Sequence, residues 1–277
     1  MVTAVRSRLS EFAVLPTDPA ALPLLHRGNL EVTGRIVDAS NATLLCTVHC
    51  DGVSAECVYK PIRGERPLWD FPDGTLAGRE VASWLLSEAT GWSLVPPTVL
   101  RSGPLGPGMV QLWVDTEDRQ ALVDVVAVNA VPRNWRTVLR AQDSFGNPAL
   151  LVHADTEEMR QLVVLDVLIN NADRKGGHVL AGLDGGVYGV DHGICLHREN
   201  KLRTVLWGFL GDRLSPTVLD VLRHVRSQLD GELGVALAEH LTQAEVRAVR
   251  ERADQLLTTK TFPAPNGNWP AIPWPAF

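Results

Sequence analysis

Hydrophobic and polar positions alternate along the first part of the chain and then change period. Two apolar, β-branched runs over residues 30–37 and 42–49 are separated by Asp38-Ala39-Ser40-Asn41, residues that favour turns. The pattern predicts a hairpin. A third run, 55–60, stops at Pro61 and a polar loop that continues through Gly74. Helical spacing follows over 76–90, where Ala77, Val81, Leu85 and Ala89 recur at i, i+4 and Gly91 is placed to end the helix. Further runs at 99–101 and 109–114 flank a Gly/Pro turn at 103–108, which predicts two more strands.

From about Asp115 the pattern reads as helical. Asp155 and Glu158 are placed to cap an apolar helix over 159–170, and a polar loop over 171–177 follows. Short strands at 178–181 and 187–190 are joined through Asp184-Gly185-Gly186, a hairpin signal. Ser215-Pro216 opens another helix, and Thr242 with Glu245 forms a capping box before a helix to about residue 257. The stretch 261–277 holds five prolines and two tryptophans, which suits an extended tail strapped across its own domain. The resulting division is an N-terminal extension (1–29), a strand-rich N-lobe (30–114), a helical C-lobe (115–260) and the tail (261–277).

Composition narrows the classes. The 277 residues are 45% hydrophobic and 21% charged, the balance of a folded globular chain. A net charge of −6 offers no global attraction for a phosphate backbone, so nucleic acid is not an expected partner. The apolar run 162–169 is broken by Asp166 and is far shorter than the roughly 20 residues of a membrane span. Arg6, Arg8 and Glu11 interrupt the place of a signal peptide's apolar region, which predicts a cytoplasmic protein. The cysteines at 46, 50, 57 and 195 form no Cys-x-x-Cys pair and read as reduced thiols.

Strands followed by helices build a cleft between lobes, and the residues expected to line it are those of phosphoryl transfer. That reaction needs a cation on the phosphates, an acid to hold it, a carboxylate near the attacking hydroxyl and ligands for a divalent metal. Lys60 ends the third strand, and Glu80 on the next helix is placed to pair with it. Asn170-Asn171-Ala172-Asp173-Arg174-Lys175-Gly176-Gly177-His178 follows an apolar helix and precedes a hairpin leading to Asp191-His192-Gly193. An Asp on a short loop, a metal ligand five residues on, and Asp-x-Gly after a hairpin occur in the order such a cleft requires. Arg174 is expected to steady this loop by pairing with a carboxylate.

Val58-Tyr59-Lys60-Pro61, the Glu80 helix followed by Val95-Pro96-Pro97-Thr98, Asn171-Ala172-Asp173-Arg174, Val190-Asp191-His192-Gly193 and Trp207-Gly208-Phe209 together resemble the phosphatidylinositol 3- and 4-kinase superfamily, most of all its type II 4-kinases. The matches cover roughly residues 30 to 215 and are similar to an actinobacterial branch of such proteins. The resemblance implies an α+β, bilobal, protein-kinase-like fold that uses ATP with Mg2+ or Mn2+ and a hydroxyl-bearing acceptor: a lipid, small molecule or protein. It implies that Lys60 contacts the ATP phosphates, Glu80 pairs with Lys60, Asp173 is the catalytic-loop acid and Asp191 binds the metal. It further implies that the Ser40-Asn41-Ala42 turn covers the phosphates, and that Gln111 to Val114, including Trp113, present backbone groups to adenine.

One position departs from the pattern. The family has Asn five residues after the catalytic Asp, whereas His178 stands here, and imidazole suits softer first-row ions than magnesium. Three readings stay open: His178 ligates the metal, an amide from Asn170 or Asn171 takes its place, or transfer has been lost. The last gives a nucleotide-binding pseudokinase, and nucleotidyl transfer on the same fold is a further alternative. Between 194 and 215 four basic residues (Arg198, Lys201, Arg203, Arg213) face Glu199 and Asp212, an arrangement suited to an acidic acceptor or to a solvated loop. Trp207 and Phe209 have two roles open to them: peripheral contact with a membrane surface, or packing on the C-lobe.

Overall fold

In the computed structural model the described residues are 14–36, 41–116, 121–267 and 269–277. The N-lobe is one antiparallel sheet of five strands in the order β1-β2-β3-β5-β4: β1 Asn29–Arg35, β2 Leu44–Cys50, β3 Val53–Pro61, β4 Thr98–Gly103 and β5 Gly106–Leu112. A short helix, α1 (Ala21–Arg27), belongs to this lobe too. Its Ala21, Leu24 and Leu25 close one face of the sheet over Cys46, Val48, Cys57, Tyr59, Val110 and Leu112. Strand alternation therefore sends Tyr59 into that core and its neighbour Lys60 to the opposite face, towards the C-lobe.

That opposite face is met by α2 (Leu76–Thr90), which occupies the span its apolar spacing predicts. Thr75 caps it by accepting from the Gly78 N–H, and Gly91 ends it at φ 70°, a left-handed conformation natural to glycine. The predicted apolar stripe is only part of what α2 buries, because Arg79, Glu80, Ser83 and Ser87 are buried with it. Buried charge on a helix has to be answered by partners. Arg79 is answered by Glu245 at 2.5 Å and by the Cys195 carbonyl at 2.9 Å, so α2 is keyed to the other lobe.

The C-lobe begins differently from the predicted helices. Strands β6 (Val123–Ala127), β7 (Trp135–Gln142) and β8 (Pro148–Ala154) form a second antiparallel sheet in the order β6-β8-β7. The outer strand β7 is exposed at four of its eight positions, fully buried at none, and carries Arg136 and Arg140, which hid its alternation. Helix α3 (Glu157–Ile169) follows, capped by Thr156 and not by Asp155, whose carboxylate instead holds Arg136 at 2.6 Å and Arg160 at 2.8 Å.

Next come the hairpin β9 (Val179–Ala181) with β10 (Val187–Gly189), then helices α4 (Pro216–Gln228), α5 (Glu232–Ala238) and α6 (Gln243–Thr259). The Ser215 cap of α4 and the Thr242–Glu245 capping box of α6 both form as their motifs predict. Glu245 thus serves twice, fastening α6 at its start and α2 through Arg79. The proline-rich tail runs back over the C-lobe: the Ala271 carbonyl accepts from Thr204 N–H and Trp207 Nε1–H, and the Ala276 carbonyl from Gly176 N–H. Phe209 is fully buried under Arg160, and Trp207 is tied to the tail. No helix among the described residues is long and apolar enough to cross a membrane.

Candidate active site

Lys60 reaches across the cleft at the end of β3. Its Nζ donates to Glu80 Oε1 at 2.6 Å and to Asp191 Oδ1 at 2.8 Å, joining residues 131 positions apart in the chain. Burial opposes the ammonium charge, but the Asp191 and Glu80 carboxylates outweigh it and hold the Lys60 pKa above the ordinary value. The same contact, led by the Lys60 charge, keeps the Asp191 carboxyl well below the usual carboxylate range. Glu80 is itself fixed from behind, because its Oε2 accepts from the His192 backbone N–H at 2.8 Å.

A cavity of about 330 Å3 opens in front of Lys60. Glu80, Asp173 and Asp191 share it with Asn41, Arg66 and Ile194. The Asp173 pKa is raised, first by burial, against the opposing charges of Lys175 and Arg203. Lys175 Nζ lies 3.5 Å from its Oδ2, a loose contact that leaves the carboxylate able to accept from a ligand. Asp191 has φ 62°, a left-handed conformation uncommon for a residue with a side chain, and half of its side chain is open to the cleft.

The loop bearing Asp173 is held by a residue that the sequence pattern shows only as an interruption. Asp166, on the last turns of α3, is fully buried with Arg174 at 2.8 Å. Its Oδ1 also accepts from Asn171 Nδ2 at 3.0 Å, and Asn171 Oδ1 in turn accepts from the Asp173 backbone N–H at 2.9 Å. Arg174 spends its remaining donors on the His178 and Val190 carbonyls, both at 3.1 Å, and on His192 Nε2 at 2.7 Å. One buried guanidinium thereby fixes the segment that carries Asp173 against the segment that carries Asp191. Arg203 adds a further tie by donating to the Ala172 carbonyl at 2.6 Å. A lone Asp inside an apolar run was the available signal for Asp166, since such a carboxylate needs a buried cation.

His178 Nδ1 lies 3.1 Å from the Asp173 carbonyl, which can only accept, so the ring proton sits on Nδ1. Its Nε2 then presents a lone pair 3.5 Å from Asp191 Oδ2. Burial lowers the His178 pKa to about 4, so the ring is neutral at pH 7. Two electron-rich atoms facing each other at that spacing fit a cation between them, and one nitrogen with one oxygen suits a first-row dication. Among the described residues no group of three or more ligating side chains gathers, so His178 and Asp191 would fill only part of such an ion's coordination shell. The amides proposed as substitutes are engaged elsewhere: Asn170 with the His197 and Glu199 carbonyls, Asn171 with Asp166.

Other predicted positions do not join this cavity. Gln111 is buried with its amide donating to Thr98 Oγ1 at 2.8 Å, and the Trp113 backbone N–H is taken by the Glu56 carbonyl at 3.0 Å. The Trp113 ring borders a separate small hollow beside Val14. Asn41 does line the cavity, whereas Ser40 lies outside the described residues. Of the four basic loop residues, Lys201 is turned inward onto Asp70 at 3.0 Å beneath Trp269, and Arg203 stands beside Asp173.

This architecture has solved counterparts. The Golgi casein kinase superposes with a TM-score of 0.52 at 14% identity, covering 86% of this chain and 72% of that one. Its structure with Mn/ADP bound superposes equally well, covering 86% and 74%. The fold is therefore kinase-like: a mixed α+β chain with a strand-rich N-lobe and a C-lobe that is mostly helical. No family model matches the chain. Protein Rv2133c of Mycobacterium tuberculosis is 52% identical over 263 residues, spanning 92% of this chain and 94% of that protein. The chain belongs to the family of Rv2133c.

Proposed function

We propose that the protein is an ATP-dependent phosphotransferase of the phosphatidylinositol 3-/4-kinase-like type, moving the γ-phosphoryl group to a hydroxyl of a lipid, small molecule or protein. The observation that carries this reading is the meeting of Lys60 with both Glu80 and Asp191 in a cavity that Asp173 also lines. Lys60 would neutralise phosphate oxygens, with Glu80 keeping its ammonium at the cleft wall. Asp173, buried enough to be a better base than a solvated carboxylate, would orient the acceptor hydroxyl and take its proton. Asp191 and His178 would hold a divalent cation, which supplies charge neutralisation on the phosphates. The kinase-like fold supports this chemistry, and the motifs described above supply the finer assignment. Arg203 and Lys175 beside Asp173 favour an acceptor that carries negative charge.

The test is incubation with ATP labelled at either the γ or the α phosphorus, in Mn2+ or Mg2+, against lipid and protein fractions of cell extract. The expected result is transfer of γ label only, faster with Mn2+, and a shift towards Mg2+ in His178→Asn. Transfer of α label would make the protein a nucleotidyl transferase, and ATP binding with no transfer would make it a pseudokinase. Equal rates with both ions, unaltered by His178→Asn, would remove the metal role given to His178.

A further inference from the structure

A second cavity, about 510 Å3, lies in the C-lobe between α3, α6 and the tail, away from Lys60 and Asp173. This volume is in the range of small-molecule sites. Its walls are apolar at Trp207, Leu210 and Phe262 and polar at Asn170, Gln255 and Arg252, and no carboxylate stands among its described lining residues. Arg252 is the unusual member. Its Nε donates to the Leu168 carbonyl at 2.8 Å and its Nη1 to the His197 carbonyl at 3.3 Å, while its buried Nη2 has no partner among the described residues. No described carboxylate lies within ion-pair distance, unlike the buried Arg79 and Arg174 of the same protein, which each have one. Burial lowers the Arg252 pKa to about 10, outweighing the opposing influence of Glu251 and Glu245 nearby.

Arg252 is half-buried, and a guanidinium held partly out of water with no carboxylate at ion-pair distance is favoured by a ligand that supplies the missing charge. We propose that this cavity binds a small organic anion, its acidic group attracted to Arg252 and its aromatic or branched body packed against Trp207, Leu210 and Phe262. The site is built into the support of the catalytic loop. Asn170, one of its walls, is the C-cap of α3 and holds the His197 and Glu199 carbonyls through its side chain. A ligand there would touch the segment from which Asp173 projects without entering the Lys60 cavity.

The probe is 8-anilinonaphthalene-1-sulfonate, an aromatic anion whose fluorescence rises on transfer to apolar surroundings, with uncharged N-phenyl-1-naphthylamine as its control. The expected result on the full chain is saturable, one-to-one binding of the sulfonate that Mn2+ and ATP leave in place. Replacing the charge in Arg252→Met should weaken sulfonate binding by about tenfold or more while changing that of the uncharged analogue by less than about twofold. Because that variant removes buried hydrogen bonds, Ala264→Trp provides the independent arm: it fills the rim, keeps Arg252, and should abolish binding of both probes. Sulfonate binding displaced by ATP and untouched by either variant would overturn the proposal. So would the absence of saturable binding to protein that melts cooperatively.

Discussion

Asp173→Asn is expected to lower turnover by about 10^2 to 10^4-fold, the range for removing a positioned general base, while leaving ATP affinity within about threefold. The substitution preserves shape, so the Asx turn beneath it, in which the residue's backbone N–H donates to Asn171 Oδ1, remains intact. What disappears is the carboxylate's ability to accept a proton from a hydroxyl and to hold that hydroxyl in line. ATP affinity should survive because the proposal assigns the phosphate contacts to Lys60, which is 2.6 Å from Glu80 and 2.8 Å from Asp191, and not to Asp173. Steady-state rates with titration calorimetry of nucleotide would check both halves. Turnover within threefold of the parent protein would remove Asp173 from its assigned role.

The largest expected loss of stability comes from the pair behind the loop. Asp166 and Arg174 are both fully buried at 2.8 Å, and deleting either leaves an uncompensated charge at a cost of about 3–5 kcal/mol. For a chain of this size that corresponds to a fall in melting temperature of roughly 10 °C. Asp166→Leu and Arg174→Met should each show it by calorimetry. The double variant should lose less than the sum, because it buries no orphaned charge, although the Val190 carbonyl would lose its Arg174 donor and the His178 carbonyl would keep only the Val190 N–H. Single variants that melt within about 2 °C of the parent would show that the pair is not what holds the loop.

How much of this was legible in the sequence depends on whether a residue acts locally. Helices α2, α4 and α6 announced themselves through local signals: apolar spacing ended by Gly91, Ser215 before Pro216, and Thr242 with Glu245, whereas the Thr75 cap of α2 emerged only in the structure. Lys60, Glu80, Asp173 and Asp191 could be proposed because each sits at a strand end, a helix face or a loop of fixed length. Their meeting depends on tertiary geometry, in which Arg79 docks α2 on Glu245 and Arg174 binds the two loops together.

The sheet of β6 to β8 stayed hidden because β7 has no fully buried residue and therefore carries no two-residue apolar rhythm. The helix α1 was hidden by brevity: its seven residues bury only three side chains against the sheet. Gln111 and Trp113 were placed by position between the lobes, and position does not reveal that the Gln111 side-chain amide turns to Thr98 or that the Glu56 carbonyl takes the Trp113 backbone N–H. Asp166 was visible yet unread, since its partner lies eight residues away on the loop it supports.

The most direct measurement of the central claim is a crystal structure with a non-hydrolysable ATP analogue and Mn2+, the ion located by anomalous scattering at the manganese edge. The account predicts a manganese peak within coordination distance of Asp191 and His178, with the phosphate chain along Lys60 and the γ-phosphate nearest Asp173. A nucleotide bound away from Lys60, or one whose α-phosphate leads towards Asp173, would contradict it.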